Sequence, residues 1–477
     1  MERDVKFAEG RQFHLIEPHH IWYLLVMLGA FASGIALLFI GPVIVFGIIG
    51  IVILGIILFH YPYLGAIAYI TFEYARLSAM IPGLNVLQVG KLIVLPTIGI
   101  MLVRYAVLKD IKIEYDKIYT LFISWLVLAV ISTMFAFDRK MALEATIDLA
   151  KWFAIIFMIV NLVNTKSKWQ IFMWLFLLLN LKMSQFQLRS FHAGYESAEN
   201  LRFFIQEGVG VGSGGFFNNA NDFGIAMVVV APLAFYLYKS VKPLVLKIAA
   251  GGFTLAFMIS IMVSGSRGAA LGLFASLIAY WVKSKNKFTS LIVVFILAVG
   301  FWVAAPNAWK DRFISAKDYN EDKTASARLR LWQAGIDMFI DHPLTGVGIY
   351  NFPVAWTTHY RPTGVGGATV VHNIFIEAAS ELGIGGLVVL LGVLIVLFKH
   401  NRRTRLLCRK HNINEPWYIN FSHALDCSLI GFVVHGSFLT VLYYPHLYIL
   451  SALILSLYFI VKRHVESVST QKELVQA

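Results

Sequence analysis

Arginine, histidine and tryptophan are the residues of this sequence most able to do chemistry, and they gather in three short stretches. The first is Val263-Ser264-Gly265-Ser266-Arg267-Gly268, which reads as a tight turn between two apolar runs. The second is Ser326-Ala327-Arg328-Leu329-Arg330-Leu331-Trp332, continuing to Phe339. The third is Val371-His372-Asn373, followed by Glu377, Glu381 and Gly383-Ile384-Gly385-Gly386. A guanidinium keeps its charge and makes bidentate contacts with phosphate oxygens, so Arg267 and Arg328 are candidate ligands for a phosphate or diphosphate. A neutral imidazole accepts a proton near neutral pH, which suits His372 to act as general base on a hydroxyl. Each stretch also has a plainer reading. Arg267 could snorkel to lipid headgroups, the Arg328–Arg330 face could lie in solvent or headgroups, and His372 could cap a helix or sit satisfied in a core.

Other polar features carry less. Glu377 and Glu381 are one helical turn apart and share a face. They either orient His372 or, as the better reading, sit favourably near a helix N-terminus. His342 and His359 read as bystanders. Neither the histidines nor Cys408 and Cys427 show the ligand spacing of a metal site, and the two cysteines make no evident disulfide set. Gly208 to Gly215 lacks the Lys-Ser/Thr that completes a P-loop and reads as a flexible outer loop. Asn218-Asn219-Ala220-Asn221-Asp222 precedes an apolar run and is placed to cap it.

The elements that must position these residues are membrane helices. The chain is 477 residues long, 58% hydrophobic and only 14% charged. Apolar runs near 20 residues recur, each long enough to cross a hydrocarbon layer of about 30 Å. They are continuous rather than alternating, so they read as helices and not barrel strands. The runs fall near 21–40, 43–60, 64–80, 91–108, 118–136, 145–163, 168–187, 222–239, 245–264, 268–283, 288–305, 373–398, 424–442 and 445–461. The expected fold is an all-α polytopic membrane protein of about 12–14 transmembrane helices. The third run, with Glu73 and Arg76, is the weakest. Trp332, Gly335, Met338 and Phe339 recur at helical steps, and Pro343 is placed to end that helix. The expected organisation is N-terminal spans over 1–187, central spans with the Arg267 turn over 188–305, a large partly helical external loop over 306–372, and C-terminal spans with a tail over 373–477. A polar insertion of that length inside such a chain points to function.

The net charge of +13 is explained by short Lys/Arg-rich connections that stay in the cytoplasm, rather than by nucleic-acid binding. Lys239, Lys242 and Lys247, then Lys283, Lys285 and Lys287, then Lys399 to Lys410, then Lys462 and Arg463 all fall on one side when helices are counted. The Arg267 turn and the 306–371 loop then fall outside, as do Arg139 and Lys140, the one connection against the charge rule. No cleavable signal segment is visible before the first run.

Taken together, these residues resemble the O-antigen ligase superfamily, which includes O-antigen polymerases and protein O-oligosaccharyltransferases. The resemblance rests on Asn219-Ala220-Asn221, Ser264-Gly265-Ser266-Arg267-Gly268, Arg328 four residues before Trp332, His342-Pro343-Leu344-Thr345-Gly346-Val347-Gly348, and His372-Asn373 with Glu381 and Gly383. It covers about residues 215 to 400; the first 200 match only as a series of spans. The resemblance implies transfer of a glycan from an undecaprenyl diphosphate carrier to an acceptor hydroxyl. The acceptor would be lipid A core, another glycan or a protein, at the periplasmic face of a bacterial inner membrane. In that reading Arg267 and Arg328 hold the diphosphate, His372 activates the acceptor, Arg330 and Arg361 help, and neither cofactor nor metal is needed. The competing expectation from the residues is a transporter of a lipid-linked glycan or small anion, which would place charges inside the spans or break paired helices.

Overall fold

The computed structural model describes residues 42–75, 89–192, 220–304, 310, 323–363 and 369–476. The expected first run at 21–40, Gly208–Gly215, Asn218-Asn219 and the start of the large loop lie outside the described residues. The chain divides into two units, Met1–Pro62 and Tyr63–Ala477. The first contributes one apolar helix, α1 (Pro42–His60).

The second unit is helical among its described residues. In order come α2 (Tyr63–Ala75), α3 (Val89–Val103), α4 (Ile118–Met134), α5 (Arg139–Leu162), α6 (Lys166–His192), α7 (Ala220–Ser240), α8 (Leu244–Val263), α9 (Arg267–Lys283) and α10 (Lys287–Ala304). After these come α11 (Lys323–Asp341), the short α12 (Phe352–Ala355), α13 (Ile374–Lys410), α14 (Pro416–Gly436) and α15 (Pro445–Gln476). Among the described residues, six helices are long and apolar enough by length and composition to cross a membrane. Ile118–Met134 and Lys287–Val303 are shorter apolar helices. The chain is therefore an all-α, multi-pass membrane protein.

Two packing features set the positions of the polar residues. The first is a stripe of small residues on α9, Gly268, Gly272 and Ser276 at four-residue steps. A Cβ added at Gly272 would lie 2.8 Å from the Gly431 carbonyl oxygen of α14, and Ser276 Oγ donates to Cys427 O at 2.9 Å. Close backbone approach across small residues is how helices associate where no hydrophobic force separates protein from lipid. The second feature is a break in α13 at Gly383, whose φ of 67° and ψ of −166° leave the helical region. Ile384 N, freed by the break, donates to Pro343 O at 2.8 Å. The large loop thus docks into a gap in a membrane helix.

One expected span is corrected. The apolar run at 424–442 is not a single helix. α14 occupies Pro416–Gly436, and residues 437–444 form a turn before α15. Gly436-Ser437 breaks the helix, and Pro445 starts the next one. The apolar residues of that turn are buried against protein, with Leu439, Val441 and Leu442 almost wholly enclosed.

Candidate functional site

The end of α14 and the turn at 437–444 are where the three sequence stretches meet. α8 ends at Val263, Gly265 takes φ 66°, and Ser266 opens α9 as its N-cap by accepting from Ala269 N. The expected tight turn is present. Ser266 Oγ also donates to Asn221 Oδ1 at 2.8 Å, tying it to the first turn of α7. Asn221 and Asp222 lie inside that first turn, and Asp222 accepts from Tyr444 Oη at 3.1 Å. Arg267 is therefore the first residue of α9, half-buried, beside a glycine pressed on the turn. A Cβ at Gly268 would meet His435 Cδ2 at 2.8 Å and Phe438 Cβ at 3.6 Å.

Arg328 reaches the same place from α11. It is half-buried on that helix and within electrostatic reach of His435. One turn later, the Trp332 ring lies 6.3 Å from Phe438, and Trp332 Nε1 donates to His372 O at 3.4 Å. α11 runs to Asp341, as the Pro343 signal indicated. Its buried face is Leu331, Ala334, Gly335 and Met338, flanked by half-buried Trp332 and Phe339, and it forms a small core with Val347, Phe352, Trp356 and Val371.

His372 comes from the third side. Its backbone N donates to Thr440 Oγ1 at 2.8 Å, and its φ of 53° is left-handed. Non-glycine residues rarely adopt that conformation, and it persists only where neighbours fix it. Here Thr440 and Trp332 hold the amide and the carbonyl of the same residue. The helix cap of α13 is Asn373, whose side chain accepts from Phe375 N and Ile376 N. That leaves the imidazole of His372 outside the capping role. His372, Arg267 and Arg328 are all half-buried, on elements that meet at this turn.

Glu377 and Glu381 do something the sequence reading did not assign. Both are buried, and Glu377 lies in the first turn of α13, near the helix N-terminus as expected, but their oxygens also make bonds the sequence did not suggest. Glu377 Oε2 accepts from Val441 N at 3.0 Å and Leu442 N at 3.1 Å. Glu381 Oε2 accepts from Tyr350 N at 2.7 Å and Tyr443 Oη at 2.8 Å, and its Oε1 from Phe352 N at 3.1 Å. Burial, reinforced by Glu381 and Glu377, pushes the Tyr443 hydroxyl far above its usual range, so it stays a donor. The two carboxyls thus brace the 441–443 turn and the 350–352 loop against α13. They support the site from beneath.

The remaining candidates stand apart. Arg330 is exposed on α11, and Arg361 is exposed just after the π-helical turn Trp356–Tyr360. His342 and His359 pack edge-on against Phe137, at 5.8 and 4.9 Å between ring centres. Phe137 belongs to the turn before α5, and that turn is pinned to the loop: Phe137 N donates to Val347 O, and Asn351 Nδ2 donates to Asp138 O. Arg139 and Lys140 therefore sit at the loop's end of the helices, where the helix count had put them. His435, Thr440 and Tyr443 escaped the sequence reading. The Gly-Ser and Pro flanking 437–444 were the only available signal.

Comparison with known proteins points the same way. Residues 251–391 match the family described as O-Antigen ligase, a stretch that contains Arg267, Arg328 and His372. The chain is also 36% identical over 88 residues to the exopolysaccharide production protein ExoQ of Rhizobium meliloti (strain 1021), covering 17% of this chain and 20% of that protein. The match therefore spans about a fifth of the relative's length. The protein is a multi-pass membrane protein whose residues 251–391 match the O-antigen ligase family.

Proposed function

We propose that the protein is a metal-independent glycosyltransferase that moves a glycan from undecaprenyl diphosphate to an acceptor hydroxyl, in the manner of an O-antigen ligase. The observation that carries this reading is the convergence of α9, α11 and the Val371–Asn373 entry on the end of α14 and the turn that follows it. Two guanidiniums and one imidazole are what such a reaction needs. The acceptor oxygen attacks the anomeric carbon while the bond from that carbon to the diphosphate oxygen breaks. The hydroxyl proton passes to His372, which later releases it to solvent. The electron pair of the broken bond leaves with the diphosphate, whose growing charge Arg267 and Arg328 neutralise. The bond energy is already in the donor, so no nucleotide is consumed. Exposed Arg330 and Arg361 are placed to meet the donor or the acceptor before it enters. On this reading the site faces the periplasm from a bacterial inner membrane, and the acceptor is lipid A core. A growing glycan is the second acceptor reading, favoured by the match to an exopolysaccharide production protein.

The test is transfer by purified protein given a polyprenyl-diphosphate glycan and candidate acceptors, without ATP or added metal. Replacing His372 with Ala should lower the rate by roughly 10²–10⁴-fold, the usual contribution of a general base. Arg267→Ala and Arg328→Ala should each abolish measurable transfer while leaving membrane abundance unchanged. Normal transfer by the His372→Ala protein would remove the base. Carrier moved across liposomes but never consumed would replace the transferase with a transporter.

A further inference from the structure

A second polar cavity lies at the far end of α9 from Arg267. That helix is 17 residues long, so the two sites are about 25 Å apart along it. The cavity offers about 400 Å³ of room between α7, α9, α10 and α14. Lys239, Lys283, Lys285, Asn286, Asn420 and His423 line it, and no carboxylate stands among the described lining residues. Lys239 is held with its ammonium 5.0 Å from the centre of the Tyr280 ring and 5.5 Å from that of Tyr236. Lys283 Nζ bonds the buried Asp426 at 2.7 Å, but Asp426 also takes Arg405 Nη1 at 2.9 Å. One carboxylate faces two cations, so that group leaves a positive charge over. Lys287 differs: its ammonium is spent on the carbonyls of Trp281 and Val282 at the end of α9.

Tyr236 and Tyr280 also line a narrow apolar cleft among Pro232, Met258, Leu273 and Leu297, with only about 30 Å³ of room. The two rings thus wall the cationic chamber on its apolar side. A chamber of that kind at the end of membrane helices suits the charged head of an anionic amphiphile whose chains stay in the surrounding hydrocarbon. We infer that this chamber binds one anionic membrane phospholipid, with its phosphate among Lys239, Lys283 and Lys285. A phospholipid is favoured over a polyprenyl phosphate by position. The chamber sits among the Lys/Arg-rich connections, which mark the leaflet where anionic headgroups meet basic pockets between helices. None of these residues belongs to the Arg267–His372 site, so lipid binding here stands whether or not the protein is a transferase.

Native mass spectrometry of the detergent-released protein tests it, with phosphatidylglycerol, phosphatidylcholine of matched chains and undecaprenyl monophosphate each titrated in turn. The expected result is one phosphatidylglycerol retained per chain in preference to phosphatidylcholine. The Lys239→Gln/Lys285→Gln double variant should retain it roughly tenfold less, and the Lys239→Arg/Lys285→Arg variant should restore retention. Lys283 is left in place because its loss would strand Asp426. Equal retention of the two phospholipids, an unchanged double variant, or preference for undecaprenyl monophosphate would each overturn the assignment. Thermal unfolding of all variants without lipid separates loss of the site from loss of the fold.

Discussion

The backbone of His372 is held by bonds at both its amide and its carbonyl. A left-handed histidine costs on the order of 1–3 kcal/mol, offset here by the bonds its amide and carbonyl make to Thr440 and Trp332. Thr440→Val keeps the shape and removes the acceptor. It should weaken the hold on His372 by about 1 kcal/mol and slow glycan transfer several-fold, with thermal stability little changed, as a turnover assay beside a melting curve would show. Thr440→Ser should restore the rate. An unaltered rate in the valine protein would mean that the strained backbone is fixed elsewhere. Glu377 and Glu381 teach a related lesson. Their spacing announced a shared helical face, but their partners lie in segments 60 or so residues onward and 30 or so residues back, which spacing along one helix cannot reveal.

The α9–α14 contact is what brings Arg267 to the His435 turn. Gly272 leaves no room for a side chain, since its Cβ would meet a backbone carbonyl that cannot swing away. Gly272→Ala should cost about 1–3 kcal/mol and Gly272→Leu more, read as a falling monodisperse fraction and a lower melting temperature in detergent. Leu271→Ala, one residue along on the exposed side, should be nearly neutral. At this scale much was legible. Ser-Gly-Ser-Arg-Gly announced the turn into α9, Pro343 announced the end of α11, and the apolar runs announced their helices. The turn at 437–444 was not legible, because hydropathy cannot distinguish residues buried in lipid from residues buried in protein. Phe438, Leu439, Val441 and Leu442 read as membrane and are instead the floor of the candidate site.

Among the described residues of the second unit, the main polar groupings fall at two ends of the helices. The loop, the Phe137–Arg139 turn and the His435 turn share one. The other holds the Lys283–Asp426–Arg405 group, the Arg463–Glu114 pair and the Lys166–Glu415 pair. The only cysteines, Cys408 and Cys427, are buried, so engineered cysteines can report sides cleanly. A membrane-impermeant maleimide added to intact spheroplasts should label Lys140→Cys and Arg361→Cys, and should label Lys285→Cys only after lysis. Labelling in the reverse pattern would invert the assignment of sides and end the periplasmic reading.

The docking of the loop into the gap at Gly383 has a further consequence. Pro343, Val347, Tyr350 and Phe352 are all stitched to α13 through backbone groups, so that stretch is as constrained as the helix it rests on. On the proposed function, contact with the recipient falls instead to the portion beyond Trp356, where Arg361 stands exposed, so the described loop divides into a fixed hinge-plate and an open arm.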